Sequence, residues 1–158
     1  MSGRLLLAAG LIFLALPASA GPYEDALAAY DRGDLTNAAK LYRTAAEQGH
    51  AYAQVSLGLM YEFGKGVSKD SKEAIRLYRL AAAQGEPQAF TLLGVMTQVG
   101  EGVEADIVRA FMWYWLAAQK EPNRAIDRDL LEGKLTFAQV ATAKELAAAC
   151  VAKQFTDC

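Results

Sequence analysis

A chain of 158 residues with 53% apolar and 22% charged side chains can build one core and is too apolar to stay disordered. Its formal net charge of −2 and pI near 5.4 provide no broad basic field for nucleic acid. Alanine dominates the apolar share, which favours helices that can approach one another closely.

Residues 1–20, MSGRLLLAAGLIFLALPASA, place Arg4 ahead of an apolar run from Leu5 to Leu16 and end in Ala18-Ser19-Ala20. That order predicts a secretory signal cut after Ala20, with an uncleaved anchor as the alternative. As a helix the run would rise about 18 Å, short of a bilayer core of about 30 Å. The mature chain is therefore expected in the periplasm or secreted, without stable membrane insertion once the signal is removed. Residues 21–33 follow as a lead-in helix, read over Pro22 to Arg32.

From Asp34 the sequence repeats itself every 36 residues. DLTNAAKLYRTAAEQGHAYAQVSLGLMYEFGKGVSK (34–69) lies over DSKEAIRLYRLAAAQGEPQAFTLLGVMTQVGEGVEA (70–105) without a gap, and 16 of the 36 columns are identical. Each unit reads as a helix pair. Ala38, Leu41, Tyr42, Ala45 and Ala46 recur at spacings of three and four, marking one buried face. Asp34 and Asp70 stand where an N-cap belongs, and Asp70 with Glu73 spells a capping box. Partner helices are predicted over Ala51 to Phe63 and Pro87 to Val99. Gly58 and Gly94 share one helix-interior column, where glycine costs about 1 kcal/mol, so that column predicts a tight helix crossing.

The turn FGKGV suggests either a phosphate cradle or a hinge. Its second copy puts Glu101 where the first has Lys65, and no strand precedes either turn. A phosphate site would not exchange its cation for an anion, so the glycines are read as a hinge.

A third unit begins on schedule at Asp106, with Ala110, Trp113, Tyr114, Ala117 and Ala118 in the buried columns. After Ala125 the pattern departs, and Thr136 with Gln139 announces a closing helix. Residues 106–158 are thus a divergent third repeat with a C-terminal capping helix, as the open end of a stacked array requires. The fold class is all-α, an α/α superhelical solenoid of about eight helices.

These columns resemble the Sel1-like repeat proteins, relatives of the tetratricopeptide class. The match rests on AAKLYRTAAEQGHAYAQVSLGLMYEFGKGV and AIRLYRLAAAQGEPQAFTLLGVMTQVGEGV, with AFMWYWLAAQ and LTFAQVATAKELA as a closing variant. The resemblance covers about residues 23 to 153. It implies a solenoid presenting a curved surface to protein or peptide ligands, and bacterial relatives act in the envelope as adaptors or regulators.

Materials for catalysis are few. His50, the only histidine, sits in a link where Glu86 takes its column, and reads as solvent-exposed structural filler. Ser56 and Ser68 have no triad partner marked by sequence, and no metal, cofactor or enzymatic activity is expected. The rival function is a cell-wall-related hydrolase or a β-lactam-recognising protein, because a cysteine-rich branch of the family is linked to β-lactams. This chain lacks that branch's regular cysteine pairs.

Binding has more to draw on. Lys40, Arg43, Arg76 and Arg79 fall in outward columns of the first helices and form either a cationic stripe for an acidic peptide or a carboxylated glycan, or a plain solvated face. Trp115 occupies the column of Arg43 and Arg79, and either packs under the closing helix or stands out as an interface anchor. Cys150 and Cys158 form an internal bridge, an intermolecular link or free thiols; the internal bridge requires the tail to turn back after about Lys153. The expected partner is a protein or peptide of the envelope.

Overall fold

A computed structural model describes residues 21–155 and 158; the signal reading of residues 1–20 lies outside them. Among the described residues there are eight α-helices and no strand: α1 Pro22–Asp31, α2 Leu35–Glu47, α3 Ala51–Phe63, α4 Ser71–Ala83, α5 Pro87–Val99, α6 Ile107–Lys120, α7 Ala125–Glu132 and α8 Phe137–Ala152. A single 3₁₀ turn, Pro122–Arg124, separates α6 from α7. The partner helices α3 and α5 have the bounds that the repeat predicts.

Aspartates start α2, α4 and α6. The Asp34 carboxylate accepts from Asn37 N at 3.3 Å, that of Asp70 from the amides of Lys72 and Glu73, and that of Asp106 from Val108 and Arg109. Glu73 does not complete the predicted capping box. Its carboxylate takes a forked hydrogen bond from Arg76, a stronger donor than a backbone amide. The box at Thr136 and Gln139 is formed in both directions.

The hinge is a backbone device. Gly64 and Gly66 adopt φ of +65° and +69°, and Gly100 and Gly102 repeat this at +77° and +74°. A side chain at Gly66 would strike the carbonyl of Leu35, and one at Gly102 would lie 3.0 Å from Ser71. Each turn therefore rests on the start of the preceding even helix, which binds one unit to the last. The tips, Lys65 and Glu101, take unrelated partners: Tyr30 for the first, Lys69 and Ser71 for the second.

Close crossings lie between α3 and α4 and between α5 and α6. A Cβ on Gly58 would overlap the Tyr78 ring, and one on Gly94 would lie 2.5 Å from Tyr114 Cε1. Helix α3 also packs more extensively on α4 than on α2, and α5 more on α6 than on α4. The packing pairs are thus α1–α2, α3–α4 and α5–α6, half a unit out of phase with the boundaries at 34, 70 and 106. A periodic sequence fixes the period but not the origin; the glycine contacts set the origin.

Two apolar clusters share the interior, one centred on α1 to α3 and the other running from α3 to α8. Buried polar side chains are satisfied: Gln54 donates to Ala46 O at 3.2 Å, and Tyr78 donates to Glu62 at 2.6 Å.

Leucine at position 94 would overpack the crossing, so Gly94→Leu is expected to lower stability by about 1–3 kcal/mol. At Gly133 an added Cβ meets nothing within 4 Å and φ is −64°. Gly133→Ala should be neutral or raise stability by up to about 1 kcal/mol. Urea denaturation of the two variants measures both signs.

Candidate binding surfaces

The four predicted cations do not share one environment. Lys40 is exposed on α2. Arg43 is half-buried and donates to the Tyr61 hydroxyl of α3 at 2.7 Å. Arg76 is exposed but neutralised by Glu73, with N–O distances of 2.8 and 2.7 Å. Arg79 opens on a separate groove with Glu104, Asp106 and Arg109. The stripe is thus divided: Arg43 is held by α3, Arg76 by Glu73 of its own helix, and Arg79 faces the residues that lead into α6.

Trp115 is half-buried beneath the closing helices. Its ring lies between the ammonium of Lys144 on α8, 4.2 Å from the centroid, and the guanidinium of Arg128 on α7, at 5.6 Å. Phe111 stacks beside it at 6.2 Å. The cations of the earlier column are replaced by an aromatic that cations then cover.

His50 is not exposed filler. Its Nδ1 accepts the Ala53 amide at 3.3 Å, capping α3, and its ring stacks on Tyr23 at 4.2 Å. Glu86 caps α5 from the same column, so the shared role is satisfying a free helix-terminal N–H.

Cys150 and Cys158 are joined, with Cα atoms 5.3 Å apart. The reversal comes from Gln154 and Phe155, whose φ values of +51° and +63° turn the chain back after α8. Phe155 then packs on Phe90 at 5.1 Å, and Arg109 donates to the Cys158 carbonyl at 3.1 Å. Left-handed geometry costs on the order of 1 kcal/mol per residue, which the bridge and these contacts offset.

Among the grooves of the described residues, three measure about 370 to 420 Å³. One of about 410 Å³ runs between α1 and α3, walled by Leu27, Tyr30, Leu59 and Phe63. One of about 420 Å³ lies between α2 and α4, with Arg43, Glu47, Glu73, Arg76, Leu77 and Leu80 around it. The third, about 370 Å³, holds Arg79, Trp113 and Cys158. Sequence reasoning missed the first. Its signal was an apolar pair four residues apart in solvent columns: Leu59 and Phe63, repeated as Val95 and Val99. Phe63 and Val99 are 61% and 64% exposed.

No group of three His, Cys, Asp or Glu side chains among the described residues stands close enough to hold a metal ion. No described helix is long and apolar enough to cross a membrane.

Stacked antiparallel helix pairs with Gly-x-Gly hinges define an α/α repeat scaffold. The Sel1 repeat family matches residues 24–50, 51–86 and 88–121, well over half of the chain, and the chain belongs to that family. The family repeats follow the α1–α2, α3–α4 and α5–α6 phase that the glycine crossings set. Among solved structures, the chain is similar to c5321, a protective antigen present in uropathogenic Escherichia coli strains displaying an SLR fold. The TM-score is 0.76 and identity 29%, over 85% of this chain and 31% of that one. It is also similar to a Sel1 repeat protein from Oxalobacter formigenes, with a TM-score of 0.61 and 37% identity over 69% of this chain and 48% of that one. The chain thus spans about a third to a half of the structures it matches. No curated protein sequence matches it. Sel1 repeats generally form non-catalytic scaffolds for protein–protein interaction.

The crossing tyrosines titrate late. Burial, and then the Glu62 carboxylate, raises the Tyr78 phenol far above its ordinary range. Burial, with Asp127 adding to it, pushes Tyr114 up to about 12. A phenol that ionises near pH 10 when unfolded but later when folded stabilises fully below pH 10 and loses that contribution as pH rises toward 12. Stability should therefore fall between pH 10 and 12, and fall less steeply in Tyr114→Phe; denaturant midpoints across that range check it.

Proposed function

We propose that this chain is a non-catalytic binding scaffold of the bacterial envelope, periplasmic or secreted, that holds a protein or peptide partner as an adaptor or regulator. The observation that carries the reading is the repeated groove surface on a closely crossed helix stack. Arg43, Arg76 and Arg79 reach groove walls from successive units. A rigid scaffold offers such walls without the ordering cost of a flexible loop.

Two further features support the location. Arg4, the apolar run to Leu16 and Ala18-Ser19-Ala20 have the order of a secretory signal. The Cys150–Cys158 bridge suits an oxidising compartment.

Fractionation of cells expressing the tagged chain, with N-terminal sequencing, should find it outside the cytoplasm beginning at Gly21. A chain retained in the cytoplasm with residues 1–20 intact would contradict the location. Crosslinking in intact envelopes followed by capture should yield a protein partner at reproducible stoichiometry; crosslinks only to abundant bystanders would contradict the scaffold role.

A further inference from the structure

Exposed apolar side chains are gathered on one side of this molecule. Of the twelve large ones exposed among the described residues, eight lie on the odd-numbered helices α1, α3, α5 and α7. Leu27, Phe63 and Val99 occupy a single column, 36 residues apart, and all three are exposed. Leu27 and Phe63 wall the α1–α3 groove together, and α5 follows α3 by the same repeat step. Gln98, next to Val99, then borders a smaller cavity with Leu130 of α7. The apolar strip thus crosses all four odd helices. A strip of that extent marks a docking surface, whereas single exposed leucines do not.

Charge divides along the same line. The odd helices carry seven acidic side chains and one basic; the even helices carry three acidic and eight basic. The one base, Arg128, pairs with Asp129 and covers Trp115. Asp31 borders the α1–α3 groove, Asp127 borders the cavity at Leu130, and Glu24 shares the face of Leu27 three residues away. Two lysines reach the strip from turns: Lys65, which donates to the Tyr30 hydroxyl at 3.4 Å, and Lys134.

We infer that the odd-helix face binds a basic amphipathic helix of a partner protein, its apolar side on the strip and its lysines or arginines at the acidic margins. This deepens the scaffold reading and rests on it. The sign of the partner follows from the charge division. Its helical form follows from the backbone. No described strand offers an edge, so an extended segment would lay unpaired N–H and C=O groups on apolar side chains, while a helix pairs its own. A second copy docking by the same face would set acidic helices against acidic helices.

The probe is a fluorescein-labelled helix-forming peptide, KLAKLAKKLAKLAK, whose leucines recur every three or four residues. It should raise fluorescence anisotropy saturably and more weakly as salt is added, and its glutamate counterpart ELAELAEELAELAE should bind at least about tenfold more weakly. Phe63→Ser and Val99→Ser should each cost about tenfold, and Leu80→Ser, on an even helix, nothing. Asp31→Lys should weaken binding and Lys65→Glu should tighten it, each about threefold. Circular dichroism melts confirm that each variant folds. Unchanged affinity in both Phe63→Ser and Val99→Ser, tighter binding of the glutamate peptide, or no saturable binding of either would overturn the inference. Self-association abolished by Phe63→Ser, without peptide binding, would make a second copy the occupant and overturn it too. If the envelope crosslink still captures a partner in those cases, the face assignment alone has failed; if it captures none, the scaffold reading has failed.

Discussion

A glycine facing a tyrosine ring sets the geometry of the stack. At Gly58 and Gly94 the absence of a Cβ lets the rings of Tyr78 and Tyr114 lie against backbone. Each ring then carries its hydroxyl to a polar group on the same facing helix: Glu62 at 2.6 Å and Gln98 at 2.9 Å. One contact therefore fixes both the separation and the rotation of a helix pair. Glycine inside a helix costs about 1 kcal/mol, and that cost is offset by an aromatic buried with its polar end satisfied. The pair at α1–α2 is built otherwise. There Tyr23 on α1 packs against Tyr42 and His50, so the first unit is held by ring contacts and a cap.

Once pairs are fixed, the hinges fix the step between them. Gly66 and Gly102 press the loop onto the helix start one unit back, leaving no room for the units to slide. Regular steps bring some columns to successive grooves: Arg43, Glu73 and Leu77 line that on α2–α4, and Arg79, Arg109 and Trp113 that on α4–α6. This is why the binding surface can be discussed as columns instead of isolated residues. Substitutions down a column then change a groove's chemistry. Gln54 becomes Phe90 and Leu77 becomes Trp113, and the second groove is the more aromatic.

The period, the helices α3 and α5 and the aspartate caps were legible in the sequence because each depends on local pattern. The phase was not, since two identical columns say nothing about which neighbouring helix lies closer. Side-chain partners were largely hidden for the same reason. Arg43 meets Tyr61 across 18 residues and Trp115 meets Lys144 across 29, distances at which one-dimensional spacing carries no direction. His50 was misread because a cap by imidazole is rarer than one by Asp or Ser, although Glu86 in its column was the available clue. The condition that the tail must reverse for Cys150 to meet Cys158 was readable from helix geometry. That Phe155 would land on Phe90 was not.

The tail also explains how the array ends. A repeat stack exposes, at its last unit, the face that a next unit would have covered. Here α7 and α8 cover part of it, and α8 buries Ala143, Ala147 and Cys150. Phe155 packs on Phe90, which itself stacks against Trp113, and the bridge to Cys150 keeps the short reversal in place. The aromatic columns of the final groove and the tail that borders it are thus two sides of one closure. A polar Gln54 column would give Phe155 a weaker seat, and an aromatic Phe90 column left open would expose apolar surface on the last repeat. The difference in composition between the two grooves follows from their positions, one inside the array and one at its end.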